Sequence, residues 1–462
     1  MDRSELERGQ PVIGTDWEEA FELYLNVIAC GNEALQVRAT IKLASLAKTA
    51  PEDILARCIP VLVELLGRPL SDSNLSIQEA VAFCLKCIAS QGEGKLAVII
   101  GHSGAIAYLL NLLPHSDGRL RTTLLKCLRN IVTFGAANRI VVAKDGGLEV
   151  ILNMLNSSPE GMRQYLLEIL SALALLREVR RVITSLGSLP FLVESAGSGS
   201  MISRTRAAQA IGLLGLVKRA RRILVDSGAI PVLIKLLQDG DVSTKLVAGN
   251  ALGVISSHTE YIRPVAQAGA IPLFLELIHG PEPMGKEIAE DVFCILAVAE
   301  ENAITITKHL VRVLSGDNDE AKASAADILW DLSGNKLSYV IRHSGAIPVL
   351  VGLLSDASVD VREKASGVVS QLSYNEADRA ALADAGVIPL LLDMLQDESE
   401  EARDNAAEAI VSFSEDPLLH DRISMAFSTP AFRSMQRRLV QIHASNADPF
   451  RSSGQTRIEG LI

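Results

Sequence analysis

Aromatic residues are scarce: Phe, Trp and Tyr make up 4% of the 462 residues, while all hydrophobic types together reach 48%. Leu, Ile, Val and Ala must therefore do the packing. Small and unbranched side chains lose little freedom in a helix, whereas β-sheet domains recruit aromatic and β-branched residues. The composition leans towards stacked helices. Basic residues are also in deficit, with 44 Lys and Arg against 55 Asp and Glu and a formal charge of −11. The affinity of a protein for phosphate backbones comes mainly from Lys and Arg, so nucleic acid is not an expected partner.

Cysteine is sparse as well. The six residues are Cys30, Cys58, Cys84, Cys87, Cys127 and Cys294, mostly within apolar helical runs. Cys84 and Cys87 form a C-x-x-C, but no second such pair and no spaced His pair follows. Small core side chains in a reducing compartment are expected, not a zinc site. The opening residues Met1–Gly9, MDRSELERG, lack the apolar stretch of a secretory signal, and Asp2 stands where myristoylation needs Gly. One long stretch, Leu96–Ser116, carries no charged residue. It is interrupted by Gly101-His102-Ser103-Gly104, Asn111 and Pro114, so it reads as two short helices and not a membrane span. A soluble intracellular protein of the cytoplasm or nucleus is expected.

Signatures of catalysis are missing. The sequence contains no H-E-x-x-H, no phosphate-binding G-x-x-x-x-G-K-[ST], no G-x-S-x-G and no kinase set. Its eight histidines are scattered. Ser195–Ser200, SAGSGS, has no lysine after it and reads as a helix connection. Neighbouring acids such as Glu290 and Asp291 suit a solvated helix face. No enzyme activity, metal or cofactor is expected.

What the chain does have is a repeated phrase: a small residue, Gly, a small residue, Ile or Leu, often Pro. Its glycines are Gly104, Gly146, Gly187, Gly228, Gly269, Gly345 and Gly386, whose numbers differ in turn by 42, 41, 41, 41, 76 and 41. The interval of 76 is two repeats of about 38, the hidden one degenerate around Lys308–Leu314. An earlier copy without glycine lies at Cys58-Ile59-Pro60-Val61-Leu62. Each repeat is expected to begin with a short helix, as at Tyr261–Ala266. The glycine then allows a left-handed turn, and a second helix follows, as at Ile230–Leu237, with Pro231 tolerated in its first turn. A polar loop leads to a longer third helix, with apolar residues such as Leu246, Ala251, Leu252 and Ile255 at helical spacing. In the repeat of Gly146, Ser158 is expected to cap the third helix and Pro159 to be its first residue.

Three helices per repeat, this phrase and a period of about 41 positions resemble the armadillo repeat. HEAT repeats share the length range but usually have two helices and lack the phrase. The resemblance spans about residues 17–425, some ten repeats, and is closest to plant-type armadillo-only proteins and the armadillo portion of U-box proteins. It implies an all-α, right-handed armadillo-repeat superhelical solenoid. The expected divisions are an N-terminal helical cap at 1–56, the repeat array at 57–425, a C-terminal capping helix at 426–443 and a disordered tail at 444–462. Terminal repeats must be atypical because one face meets water.

The resemblance also implies a concave groove lined by third helices. Import members of the family place a Trp, and an Asn four residues later, on successive third helices to hold an extended peptide. Here those paired positions hold Phe83 and Cys87, Lys126 and Asn130, Glu168 and Ala172, Gln209 and Leu213, and Asn250 and Val254. They continue as Asp291 and Ile295, Asp327 and Asp331, Gly367 and Gln371, and Glu408 and Ser412. The Trp is absent throughout and Asn keeps its place only at Asn130, which argues against a standard import adaptor. Arg129 and Lys126 make the early groove basic. Asp291, Asp327, Asp331 and Glu408 make the later groove acidic, suited to a basic partner segment, although ordinary solvated positions would look the same. A second feature is a basic ridge on two consecutive first helices: Arg177, Arg180, Arg181, Lys218, Arg219, Arg221 and Arg222. It suits an acidic protein segment or an anionic membrane, or is solvated and paired with Glu178 and Asp226. The expected function is a protein-interaction scaffold or adaptor. Alternatives are a substrate-recognition subunit of a ubiquitin ligase and, further off, a nuclear-import adaptor.

Overall fold

The computed structural model describes residues 16–69, 74–414, 416, 417 and 419. The expected capping helix at 426–443 and the tail at 444–462 lie outside the described residues. Among the described residues there are twenty-seven α-helices and no strand. The chain divides into two compact units, Met1–Ala229 and Ile230–Ile462.

In the first unit a helical hairpin, Trp17–Ala29 and Glu33–Leu46, precedes the repeats. Asp16 starts it by accepting hydrogen bonds from the free amides of Glu18 and Glu19 at 3.0 and 3.1 Å. Glu33–Leu46 packs on the long helix Leu75–Ala89, which packs on Gly118–Phe134, then Glu160–Ala174, then Met201–Gly215. The second unit repeats the scheme with Val242–Ser256, Pro283–Leu296, Asp319–Leu332, Val359–Ser373 and Glu400–Ser414, each packed on the next. The expected division at residue 57 falls inside the helix Glu52–Leu66.

The seven phrase glycines all adopt positive φ, between 73° and 91°. At Gly269, φ is 91° and a Cβ would meet nothing within 4 Å. The requirement there is backbone conformation, not space. Each such glycine separates a short first helix from a second one, as in Thr259–Gln267 and Ala270–His279. Two repeats lack the glycine, and in both the two helices run on as a single 15-residue helix, Glu52–Leu66 and Glu300–Leu314. The second of these is the hidden repeat expected around Lys308–Leu314. Without a residue free to turn left-handed, the chain continues as a helix, even through Pro60.

Two local expectations are corrected. Ser158 does not cap the third helix; its amide donates to Met154 O at 2.9 Å and closes the preceding helix. Pro159 stays extended at ψ 158°, as a residue flanking a helix does, so the helix begins at Glu160. The uncharged stretch is indeed two helices, Lys95–His102 and Ala105–His115, bent by 73°. The break is at Gly104 alone, since Asn111 and Pro114 lie within the second helix. No single described helix is long and apolar enough to cross a membrane.

The interior is Leu, Ile, Val and Ala, each buried Leu or Ile contributing roughly 2 kcal/mol. Phe274 and Phe293 meet edge to face, with ring centroids 6.2 Å apart. A periodic basic residue ties the loops before the long helices. In the second unit, Lys245 pairs with Glu276 at 3.5 Å, Lys286 with Glu320, Lys322 with Asp356 at 2.7 Å, and Arg362 with Asp397 at 2.7 Å. All four carboxylates come from the following repeat, so each contact also fixes the spacing of neighbours. Arg121, Arg163 and Arg204 hold the corresponding places in the first unit, where Arg204 donates to Ala196 O at 3.1 Å.

Candidate partner-binding faces

In the first unit, Lys126, Arg129 and Asn130 stand on Gly118–Phe134, Glu168 on Glu160–Ala174 and Gln209 on Met201–Gly215. Packing of these helices joins them into one network. Glu168 lies between two guanidinium groups, 3.1 Å from Arg129 and 3.4 Å from Arg206, and Arg206 donates to Gln209 at 3.1 Å. Lys126 and Arg129 also lie 5.2 and 5.7 Å from the centre of the Tyr165 ring, within cation–π range. Arg129, Asn130, Arg139, Glu168, Arg206 and Gln209 line a hollow of about 420 Å³.

Asn130 does not behave as the import ladder requires. It is 6% exposed, donates to Lys86 O of the preceding repeat at 3.0 Å and accepts from Arg129 Nε at 3.1 Å. Its amide stitches neighbouring repeats together.

In the second unit the face is acidic. Asn250 and Asp291 line a small hollow of about 30 Å³ between Val242–Ser256 and Pro283–Leu296. Asp327 and Asp331 follow on Asp319–Leu332, Gln371 on Val359–Ser373 and Glu408 on Glu400–Ser414. Asp327 is paired: Lys364 Nζ sits 3.1 Å from it and 5.6 Å from the centre of the Trp330 ring. Asp331 accepts from Cys294 Sγ at 3.6 Å, and burial together with that carboxylate pushes the Cys294 thiol up. Glu408 accepts from Ser370 Oγ at 3.1 Å and from the Tyr374 hydroxyl. Glu290, half-buried beside Asp327, Asp291 and Glu287, is pushed up to about 7, chiefly by burial. The two units differ sharply in formal charge. Residues 1–229 hold 25 Lys and Arg against 22 Asp and Glu, a net +3, and residues 230–462 hold 19 against 33, a net −14.

The ridge residues lie where expected, on Arg177–Ser185 and Lys218–Asp226, which touch each other. They do not act alike. Arg221 is half-buried and donates to Gly215 O at 2.7 Å, capping the preceding long helix. Arg139 does the same two repeats earlier, bonding Val132 O at 3.0 Å. Arg180, also half-buried, holds the equivalent place between them. Arg222 pairs with Asp226 at 3.8 Å. Arg177, Arg181, Lys218 and Arg219 are exposed and form no ion pair among the described residues.

Sequence reasoning missed Tyr165, Arg206, Trp330, Lys364 and Tyr374, and it read Glu290 as an acid on a solvated face, whereas Glu290 is half-buried. Tyr165 and Trp330 each lie three residues from a ladder position, Glu168 and Asp327, a spacing that shares a helix face. The periodic basic residue was also legible: from Arg121 through Lys322 to Arg403, its intervals of 42, 41, 41, 41, 36, 40 and 41 run parallel to those of the glycines. Cys84 is wholly buried and its thiol pushed well up by burial; Cys87 is half-buried. Among the described residues no group of three or more His, Cys, Asp or Glu could hold a metal ion.

Residues 218–257 and 335–374 match the model of the Armadillo/beta-catenin-like repeat, and residues 387–416 match that of the HEAT repeat. The armadillo matches each cover three successive helices; the HEAT match covers only the last two of its repeat, Val387–Met394 and Glu400–Ser414. No curated protein gives a significant match. Among solved structures 487 chains match. One is a crystal structure of an engineered protein from the Northeast Structural Genomics Consortium, with a TM-score of 0.68 and 23% identity, covering 86% of this chain and 99% of that one. That likeness establishes the fold alone, an all-α solenoid. The armadillo matches together span 80 of the 462 residues.

Proposed function

We propose that this chain is a protein-interaction scaffold whose long-helix faces hold partner segments, with the second unit selecting a Lys- or Arg-containing segment. Armadillo and HEAT solenoids are in general interaction scaffolds. The observation that carries the charge preference is the set of acids Asp291, Asp327, Asp331 and Glu408 on three of four successive long helices, the fourth carrying Gln371, in a unit with net charge −14. Lys364, held between the Trp330 ring and Asp327, exemplifies the chemistry this face offers a cation. Clustered carboxylates of this kind steer and orient a basic ligand more than they tighten it.

The test is fluorescence anisotropy with a short Arg/Lys-rich peptide and its charge-reversed counterpart. The basic peptide binds, and D291N/D331N/E408Q weakens it about tenfold at low salt. Equal affinity of both peptides, or of the protein and its variant, overturns the charge preference.

The ligase-subunit reading rests on resemblance alone. The import-adaptor reading is weakened by Asn130, whose amide is committed within the protein. Six free cysteines support a reducing compartment, so the cytoplasm or nucleus is part of this proposal.

A further inference from the structure

The exposed cations of the first unit's ridge stand in an arrangement that the second unit avoids. Arg263, on the first helix Thr259–Gln267, occupies the place that Arg181 holds two repeats earlier. It pairs with Glu301 of the following repeat, at a sequence separation of 38. The same step from Arg181 leads to Arg219, so a cation stands where the second unit supplies the carboxylate. The acid in that column, Glu178, lies the same step after Ile140, an apolar side chain. Charge pairing along this edge is thus out of step. Arg177, Arg181, Lys218 and Arg219 are left in water on two touching helices without carboxylate partners among the described residues.

The same edge exposes aliphatic side chains. Val182 and Leu186, one turn apart beside Arg181, are 43% and 42% exposed, and Ile140 on the neighbouring repeat's first helix is 47% exposed. Interleaved cations and exposed aliphatics on short helices are the pattern by which a surface lies on anionic lipid: the cations meet headgroups and the aliphatics enter the acyl boundary. An acidic protein segment would use the cations but has no comparable need for scattered aliphatics.

We propose that this edge, formed by the helices Arg177–Ser185 and Lys218–Asp226, docks onto an anionic membrane surface. The whole-chain charge of −11 does not oppose it locally, because the first unit carries a net +3 and its unpaired cations lie within about one Debye length of a surface they touch. Docking is reversible and weakens with salt, since four cations and two or three aliphatics fall far short of an inserted helix.

The test is co-sedimentation of the full chain with phosphatidylcholine vesicles, with and without phosphatidylserine. The chain pellets with the phosphatidylserine vesicles at low salt and is released as salt rises. Neutralising Arg177, Arg181, Lys218 and Arg219 to Gln lowers the bound fraction at least about tenfold, whereas the variant carrying Lys at the three Arg positions keeps it. V182S/L186S lowers binding while leaving the salt dependence in place. Circular dichroism melts confirm that each variant is folded. Absence of pelleting, or equal pelleting by the Gln variant, overturns the proposal. So does ridge-dependent binding of a poly-glutamate peptide without vesicle binding, which would assign the edge to an acidic protein segment.

Discussion

Gly367 makes the room that Trp330 occupies: a Cβ at position 367 would lie 2.5 Å from the indole Cε3. The two come from consecutive long helices, and Lys364 Nζ lies 5.6 Å from the centre of the same ring. Gly367→Ala must therefore move the ring or the helix. Overpacking of this kind costs about 1–3 kcal/mol. Thermal melting measures the loss, and Trp330 emission in a Trp17→Phe background shifts as the ring leaves Lys364. An unchanged spectrum and melting temperature would contradict the packing.

The turn glycines give a second prediction, in which strain acts without crowding. Gly269→Ala places a side chain at φ 91° with no atom within 4 Å of it. The expected loss is about 1–2 kcal/mol from the backbone alone, read from urea denaturation. Gly161, which has open space and no positive φ, serves as the comparison; Gly161→Ala is expected to be neutral or stabilising.

A third concerns Arg342 and Asp378, which join consecutive repeats at 2.6 Å. The Asp378 side chain is wholly buried. Arg342→Met leaves that carboxylate without its cation and is expected to cost about 3 kcal/mol. Replacing both residues with Leu should recover most of it, because burying hydrocarbon carries no desolvation penalty for charge. Chemical denaturation of the two variants distinguishes a charge effect from a general loss of packing.

The fourth prediction is a pH dependence. Burial raises Glu290 from 4.5 to about 7, with Asp327, Asp291 and Glu287 adding to the shift. Between those two values the folded chain holds a proton that the unfolded chain has released. Stability from this group is therefore greatest below about 4.5 and falls as pH rises towards 7. Glu290 is partly solvated, so after screening the change is on the order of 1 kcal/mol. Glu290→Gln should remove it, stabilising the protein at high pH relative to the parent. Melting curves on both sides of that range check it; a parallel pH profile in the variant would refute it.

Much of the architecture was legible because its causes are local. The Gly-Ile-Pro phrase marks helix breaks, since only glycine takes the left-handed turn cheaply, and the two repeats lacking it run on unbroken. The Ser158-Pro159 boundary was misplaced by one residue because a proline suits both sides of a helix start and only the dihedrals tell them apart. The periodic basic residue is legible too, but it falls outside the apolar positions whose spacing defines a helix.

The candidate site was legible as a set of positions and not as chemistry. Asn130, Asp327 and Arg221 read alike as polar residues on exposed faces. One holds a neighbour's carbonyl, one pairs with Lys364 and one caps a helix.

The sequence by itself determined the helices, their period and the places where they break, because each follows from dihedral preferences and spacing within a few residues. Only the tertiary structure decided which charges are spent inside the protein and which face outwards. The partner of each is typically supplied from the adjacent repeat, at separations from 31 for Lys245 and Glu276 to 44 for Asn130 and Lys86, and only the stacking of one repeat on the next brings the two within reach.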